Sequence, residues 1–507
     1  IHDQSVADRK NLTSGGSPVT MYGMHSIIIF GASGDLTGRK LIPALYQLFL
    51  KKRLPAPVSI VGFARTAMDD GAWRDRLAES TARFAGADFS DTAWGEFAPL
   101  LHYHAGNMEE SASFAALARC LDRLEEGEAE SHRLYYLATA PKFYGPSAEK
   151  LGEAGLAAEG PGRSRRIVIE KPFGTDLASA QRLNETVFRS FNESQIYRID
   201  HYLGKETVNN VLVLRFANAI FEPIWNRNYI ESIQITANED VLVGRRAPYY
   251  ESAGVLRDMF QNHLLQLLSF VTMEPPARFD AKAVRDEKVK VLQSIRAMTE
   301  QEAAANSIRG QYRSYRDEEG VAKTSRTATF GALRLFIDNW RWKGVPVFLR
   351  SGKGMGCRTT QVLINFREPP HRMFQSSAGE GALGNRLLIQ IQPAEGIQLY
   401  FATKIPDTDM KIRVSDLSFN FRKSFRGEMP DSYERLLLDA LSGDASLFAR
   451  SDEVEAAWRI IDPVQKTWDG PAMGEPEFYE TGSTGPVQGD RWIESFGERW
   501  LNMCPIV

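Results

Sequence analysis

The nine residues RIDHYLGKE, 198–206, bring Arg198, Asp200, His201, Tyr202, Lys205 and Glu206 together in an otherwise ordinary stretch. A helix is expected to begin near Gly204, and the free amides of a helix start attract anions. His201, Tyr202 and Lys205 would add two possible cations and a hydroxyl to the same place, which is the make-up of a phosphate pocket. Asp200 has the wrong charge to hold phosphate. Its chemistry suits a different task, orienting a histidine and stabilising it when protonated. The plainer alternative is a solvated, charged helix start.

Another histidine in apolar helical company stands in VLRDMFQNHLLQLLSF, which carries Asp258 and His263. His263 shares a helical face with Met259, Phe260 and Leu267, so a core histidine is the competing reading. Asp258 and His263 are five residues apart, roughly 140° on an α-helix, and are therefore not expected on one face, although they can flank one cleft. Lys171, in EKPFG, ends an apolar strand, where ligands gather in parallel sheets. Pro172 would fix its orientation, with a cis or a trans bond left open. His102 and His104, in LHYHAG, have no partner that suggests chemistry.

A second site is signalled by GASGDLTG, in which Gly31, Gly34 and Gly38 follow an apolar run and precede a helical pattern. Glycine permits a tight turn and a close approach of pyrophosphate to the backbone, with the next helix aiming its amides at the anion. Ser33 stands where the second glycine of GxGxxG would be. After the next strand the chain offers Arg65 and Thr66 rather than an acid for the ribose hydroxyl. A guanidinium there fits a 2′-phosphate, which favours NADP over NAD, against the alternative of a solvated surface arginine.

The elements that must position these residues follow from periodicity. Residues 27–30, 58–66, 133–141 and 165–174 read as strands, and 41–49, 114–124 and 178–188 as helices between them. That alternation predicts an α/β, Rossmann-like, doubly wound N-terminal domain. Beyond residue 200 come helical stretches at 204–217 and 253–271, then alternating runs such as TQVLINF, LLIQIQP, IQLYFAT and SDLSFNF. These predict a larger α+β domain with a mostly antiparallel sheet, one face of it covered by helices. The expected divisions are a flexible tail over 1–24, a dinucleotide-binding domain over 25–199, and a substrate-binding and oligomerisation domain over 200–507.

The whole chain sets limits on the partners. Its 507 residues carry a formal charge of −3, so no overall field draws it to nucleic acid or to an anionic membrane. No run of 18 apolar residues would span a bilayer. Three cysteines, Cys120, Cys357 and Cys504, are widely spaced and show no ligand pattern, so neither a disulfide framework nor a zinc site is expected and a reducing, cytoplasmic setting is the default. The chain begins at Ile1 rather than Met, which leaves a removed upstream segment open.

Taken in order, GASGDLTGRK, GFART, YLATAPKFY, IEKPFG, RIDHYLGKE, YYESAGVLRDMFQNH, PVFLRSGKG and SYERLLLDALSGD resemble the segments of the glucose-6-phosphate dehydrogenase family from about residue 25 to about residue 460. The resemblance implies oxidation of glucose 6-phosphate at C1 to the 1,5-lactone with hydride transfer to NADP, the first oxidative step of the pentose phosphate pathway, without a metal. It implies His263 as general base with Asp200 as its partner. By the same resemblance Lys171, His201, Tyr202, Lys205, Glu239, Asp258, Lys353 and Arg358 face the substrate. Gly31, Ser33, Gly34, Asp35, Leu36, Lys40, Arg65, Tyr144 and again Lys171 face the coenzyme. Homodimers or homotetramers are usual in the family. The loop DVLVGRRAP departs from many relatives, with Gly244, Arg245 and Pro248 where they carry a further acid and a glycine. The rival expectations are another NADP-linked sugar oxidoreductase, of the glucose–fructose oxidoreductase type, and a non-catalytic NADP-binding relative.

Overall fold

The computed structural model describes residues 22–371, 373–374, 384–424, 430–502 and 504, so nearly all of the expected tail lies outside the described residues. The chain forms two compact units. The first comprises the chain up to Glu170 with Thr186–Tyr197 and Tyr433–Ala445; the second comprises Lys171–Glu185, Arg198–Ser432 and the chain from Ser446 onward.

In the first unit, strands β1 (Met24–Phe30), β2 (Val58–Ala64), β3 (Leu101–Ala105), β4 (Ser131–Leu137), β5 (Arg163–Ile169) and the start of β6 (Ile196–Ile199) lie in the order β6-β5-β4-β1-β2-β3. The pairings of β1 with β2 and β4, of β2 with β3, and of β4 with β5 are parallel. The run Ile27, Ile28, Ile29, Phe30 is buried on both faces, as a central strand covered by helices on each side requires. The chain leaves β1 in one direction and returns at β4 on its other side. Ligands of such sheets bind beside that reversal, at the carboxyl ends of the strands.

The glycine turn sits at this point. Gly31 has φ +85°, and a Cβ there would lie 2.3 Å from the Ala138 carbonyl oxygen that follows β4. The turn then runs into a π-helical segment, Thr37–Leu41, and the α-helix Ile42–Leu50. Gly62, inside β2, makes room for Trp73, whose indole N–H donates to the Ala32 carbonyl at 3.2 Å and so anchors the turn from below.

The second unit is built on a nine-stranded sheet of β7 (Ile230–Asn238), β8 (Ser307–Tyr312), β9 (Phe330–Phe336), β10 (Pro346–Gly352), β11 (Thr359–Phe366), β12 (Arg386–Gln392), β13 (Gly396–Lys404), β14 (Ile412–Asn420) and β16 (Glu477–Tyr479), in the order β14-β13-β12-β11-β7-β10-β9-β8-β16. A short strand, β15 (Phe448–Ala449), pairs antiparallel with Arg198 and Ile199 at the end of β6. In the large sheet only β7 with β10 and β8 with β16 run parallel. The expectation of one covered face is corrected for its centre, where β7, β10 and β11 are buried on both faces. The C-terminal segment covers the polar side: Gln234 donates to the Arg499 carbonyl, Gln361 to the Leu501 carbonyl, and Arg350 stacks on Trp500.

Two further expectations change. The helical stretch at 253–271 is not one α-helix. Gly254 (φ 57°, ψ −179°) kinks the chain inside Ala247–Val255; a π-helix, Leu256–Leu264, follows, and α-helical geometry resumes over Leu265–Thr272. The cysteines are not all free either. Cys357 and Cys504, 147 residues apart, are joined by a disulfide with Cα atoms 5.9 Å apart. The C-terminal segment makes this meeting when it folds back over the sheet, which spacing along the chain does not reveal. Among the described residues, no helix is long and apolar enough to cross a membrane.

Cys120 is the free cysteine. Thiol titration of air-equilibrated, unreduced, unfolded protein is therefore expected to find one reactive thiol per chain, and three after reduction. Three thiols before reduction would refute the Cys357–Cys504 link.

Candidate functional site

The second unit gathers the expected chemistry at the carboxyl end of β6 and along the π-helical segment. Asp200 and His263 are buried, at 2% and 1% exposure, with Oδ1 and Nδ1 2.6 Å apart. The same Oδ1 accepts the Tyr202 amide at 2.9 Å. Burial works to raise the Asp200 carboxyl, but His263, His201 and that amide outweigh it and hold it below the usual carboxylate range. Asp200 is thus an acceptor, and the Nδ1 proton of His263 points at it. Nε2 is left with its lone pair.

Lys171 meets that lone pair, its Nζ standing 2.8 Å from His263 Nε2. The ammonium also donates to the Asp258 carbonyl oxygen at 3.0 Å and lies 3.6 Å from the Asp258 carboxylate. The Lys171–Pro172 bond, left open by the sequence, is cis. Burial pushes the His263 imidazole down; the Asp200 charge opposes this, and the net direction is below the ordinary histidine value. The ring is neutral at neutral pH, as a proton acceptor must be.

The expected 140° between Asp258 and His263 does not hold, because the segment is π-helical. With ~4.4 residues per turn, five residues advance roughly 50° beyond a full turn, so both residues face Lys171. The Asp258 carboxylate lies 3.2 Å from Lys353 Nζ and 3.6 Å from Arg246 Nη2. Lys353, 4% exposed, is also bonded to Glu239. Burial alone would raise the Asp258 carboxyl; Lys171, Lys353 and Arg246 more than reverse it and hold the group ionised. Arg246 belongs to the loop where the chain departs from many relatives, and its role was not legible in the sequence.

On the other side of His263 the Tyr202 ring stacks at 4.2 Å and His201 meets it edge-on at 4.6 Å. The helix begins at Glu206, with Lys205 in its N-cap position. Lys205 Nζ is bonded to the Gln392 side-chain oxygen, and Arg358 reaches the same oxygen at 3.4 Å. Two cations therefore converge on one neutral acceptor. Burial and the Arg358 charge bring Lys205 down to about 8. His201 is pushed well below its ordinary value by burial and by the nearby His263 and Lys171, so it is a neutral ring here rather than the cation expected. Gln392 and Thr360, which are hydrogen-bonded at 2.9 Å, complete this corner. Their strand patterns gave no sign of it.

Asp200, His201 and His263 each offer a ligand atom within 4.8 Å of the others. The 2.6 Å Asp200–His263 contact is nevertheless a hydrogen bond, because two ligand atoms ~2.1 Å from a shared zinc at a tetrahedral angle would stand roughly 3.4 Å apart.

The coenzyme candidates other than Lys171 lie in the first unit. The Gly34 amide donates to the Gly31 carbonyl at 2.8 Å, and the Thr37 hydroxyl donates to the same oxygen at 3.1 Å, shaping a tight loop. A cavity of about 430 Å³ opens beside it, with Gly34, Asp35, Gly38, Arg39, Arg76 and Arg83 in its wall. Its three arginines suit a pyrophosphate, and the sequence pattern singled out none of them. Asp35 pairs with Arg39 at 3.0 Å. Ser33 Oγ lies 3.4 Å from the Thr66 hydroxyl, which places the end of β2 beside the turn, and Arg65 next to it is exposed. Leu36 and Lys40 are half-buried, whereas Tyr144 is 1% exposed. The close turn, which has no room for a Cβ at Gly31, and the basic cavity fit a dinucleotide.

Comparison with known proteins agrees with this geometry. Residues 28–210 match the family model for the NAD-binding domain of glucose-6-phosphate dehydrogenase, and residues 212–501 match that for its C-terminal domain. The chain is 44% identical to a glucose-6-phosphate 1-dehydrogenase of Aggregatibacter actinomycetemcomitans, covering 94% of this chain and 96% of that one. It is 42% identical to the Mycolicibacterium smegmatis enzyme of the same name, with 93% and 96% covered. A solved glucose-6-phosphate dehydrogenase in complex with glucose 6-phosphate superposes with a TM-score of 0.87 at 34% identity, covering 94% of this chain and 98% of that one. The Mycobacterium avium structure gives 0.83 at 33% identity, with 96% and 100% covered.

Because its value is lowered, His263 is expected to be less than half protonated at pH 6.5, where a free imidazole is half protonated. Asp200→Asn should lower its titration further, since the carboxylate is what opposes burial. NMR titration of the ring would check both; a His263 half protonated or more at pH 6.5 would contradict the assignment.

Proposed function

The chain belongs to the glucose-6-phosphate dehydrogenase family, and from that premise we propose that it oxidises D-glucose 6-phosphate at C1 to 6-phospho-D-glucono-1,5-lactone, reducing NADP. The observation that carries the reading is the line Asp200–His263–Lys171 beside the Lys205 and Arg358 cations. It joins a base to an anion site on one side of one unit.

In this reading His263 Nε2 takes the C1 hydroxyl proton. Hydride leaves a carbon readily only as its hydroxyl loses a proton, and the base must be neutral and within hydrogen-bond reach. Asp200 holds Nδ1 protonated beforehand and stabilises the imidazolium afterwards. Lys171 gives up Nε2 to the incoming hydroxyl, donates instead to that hydroxyl's oxygen, and stabilises negative charge growing there. The alternating Asp258, Lys353 and Glu239 offer acceptors and a donor for the ring hydroxyls. Lys205, Arg358 and His201, with Tyr202 lining the corner, hold the phosphate, whose oxygens replace the Gln392 amide oxygen between the two cations. A dianion there raises the His201 pKa and restores its charge. Phosphate so held is remote from C1 and contributes positioning.

A nicotinamide dinucleotide supplies the hydride acceptor when bound. We assign its pyrophosphate to the turn of Gly31, Ser33, Gly34, Asp35, Leu36 and Lys40, and its 2′-phosphate to Arg65, which makes NADP the preferred coenzyme. Tyr144 and Lys171 complete the assigned coenzyme residues. Residues 25–199 then serve the coenzyme and 200–507 the substrate. Leu417 and Phe419 are 63% and 40% exposed on the edge strand β14, which supports a second copy covering that strand in a homodimer or homotetramer. Hexose phosphates and NADP are charged and confined by membranes, so we place the protein in the cytoplasm.

Removing the base is expected to lower turnover by roughly 10²–10⁴, with little change in the KM for glucose 6-phosphate. His263→Asn, followed at the reduced-nicotinamide absorbance, tests this, and undiminished turnover would end the assignment. Arg65→Ala is expected to weaken NADP at least tenfold more than NAD; equal losses on the two coenzymes would remove Arg65 from the 2′-phosphate.

A further inference from the structure

The second unit contains another basic cavity that shares no residue with the groups assigned above. It has a volume of about 290 Å³, and Arg257, Arg309, Arg326, Glu251, Trp468 and Asp469 are in its wall. Gly254 and Val255 line it too, so it opens at the break that starts the helix carrying Asp258 and His263. No side chain caps that helix start.

An independent observation points to a ligand. Arg309 is 5% exposed; it donates to the carbonyls of Trp468 and Gly474, but its Nε finds no partner. Arg326 likewise donates to the Gly474 carbonyl and leaves its Nε unpartnered. Arg257 is spent on the carbonyls of Thr175 and Ser252. The two carboxylates in the wall are bound by neutral donors and make no ion pair within 4.0 Å with the three arginines, although Asp469 acts on Arg309 from farther away. Glu251 accepts the hydroxyls of Tyr315 and Ser325, at 2.7 and 2.8 Å, and Asp469 accepts the Gln465 amide at 2.9 Å. Among the described residues, none of the three guanidiniums forms an ion pair within 4.0 Å. Burial and the neighbouring Arg326 charge push Arg309 below its ordinary value, with Asp469 and Glu475 opposing. Arg309 is buried with one donor unpaired and with its carboxylate neighbours beyond ion-pair distance, so its charge is only partly balanced. Phosphate oxygens match the forked donors of arginine, and a helix start adds backbone dipoles of the right sign.

We propose that this cavity, between Arg309, Arg326 and the helix start at Leu256, binds a phosphate-class oxyanion, either inorganic phosphate or the phosphate of a small phosphomonoester. The site is separate from the Lys205 corner and from the glycine turn, both of which also attract phosphate.

The test uses the full chain carrying Lys205→Gln and Arg76→Gln, which weaken those two other basic sites. Calorimetric titration with inorganic phosphate is expected to find one remaining site, and adding Arg326→Gln is expected to weaken it at least tenfold. Arg326→Lys, which keeps the charge, should recover part of the loss, and circular dichroism confirms that each variant is folded. Arg309→Gln should act as Arg326→Gln does where it folds. Tighter binding of glycerol 3-phosphate than of inorganic phosphate would identify an organic phosphate as the occupant, whereas equal binding would identify the phosphate group alone. No remaining binding in the doubly substituted chain, or binding unmoved by Arg326→Gln, would overturn the proposal. No arm reads turnover, so failure here and failure of the dehydrogenase reading are told apart.

Discussion

The contact on which the second unit's chemistry depends is the buried hydrogen bond between Asp200 and His263. A carboxylate removed from water is costly unless its lone pairs are used, and here the imidazole and the Tyr202 amide share Oδ1 while Oδ2 has no hydrogen-bond partner among the described residues. The bond sets the tautomer. With Nδ1 committed to Asp200, only Nε2 can face a ligand, and the flat Tyr202 ring keeps the imidazole from tilting away. Loss of the carboxylate would leave a ring free to carry its proton on either nitrogen, in a site that selects for one.

Around that bond, charge is arranged so that no group is isolated. Lys171, Asp258, Lys353 and Glu239 alternate in sign, and each ammonium touches two acceptors. Such a chain is held together by its own fields and offers a polyol donors and acceptors already in place, which reduces reorganisation when charge moves. The corner of Lys205 and Arg358 is built on the opposite logic. Lys205 and Arg358 repel each other across a single amide oxygen, so that corner gains most when a dianion enters.

Much of this was legible in the sequence, and what was missed has physical reasons. The runs IIIF and VSIVGFA announced buried parallel strands because both faces had to be apolar. RIDHYLGKE pointed to a basic corner because cations and a helix start coincide, and Lys205 does meet Arg358 there across Gln392. The angle between Asp258 and His263 was misjudged because residue periodicity assumes 3.6 per turn, and no composition signal marks a π-helix. Arg246 and Gln392 were invisible because their partners lie far along the chain. The Cys357–Cys504 link was missed for the same reason, and so was the second cover on the large sheet. His201 was read as a cation because sequence supplies a residue's type but not the burial and like charges around it.

The π-helical segments deserve the same weight as the charged residues. One follows the glycine turn at Thr37–Leu41, and the other, Leu256–Leu264, carries Asp258 and His263. A π-turn widens the helix and loosens its packing, so it persists only where surrounding contacts over-determine it. In the second case the contacts are evident. Lys171 takes the Asp258 carbonyl oxygen along with the His263 lone pair, and Asn262 folds its side-chain oxygen back onto the His263 amide at 2.6 Å. Regular α-helical geometry over the same residues would turn Asp258 away from His263 by about 140°, and one lysine could no longer serve both. The wide turn is therefore what lets a five-residue spacing act as a single face, and the geometry of the cluster rests on backbone as much as on side-chain identity.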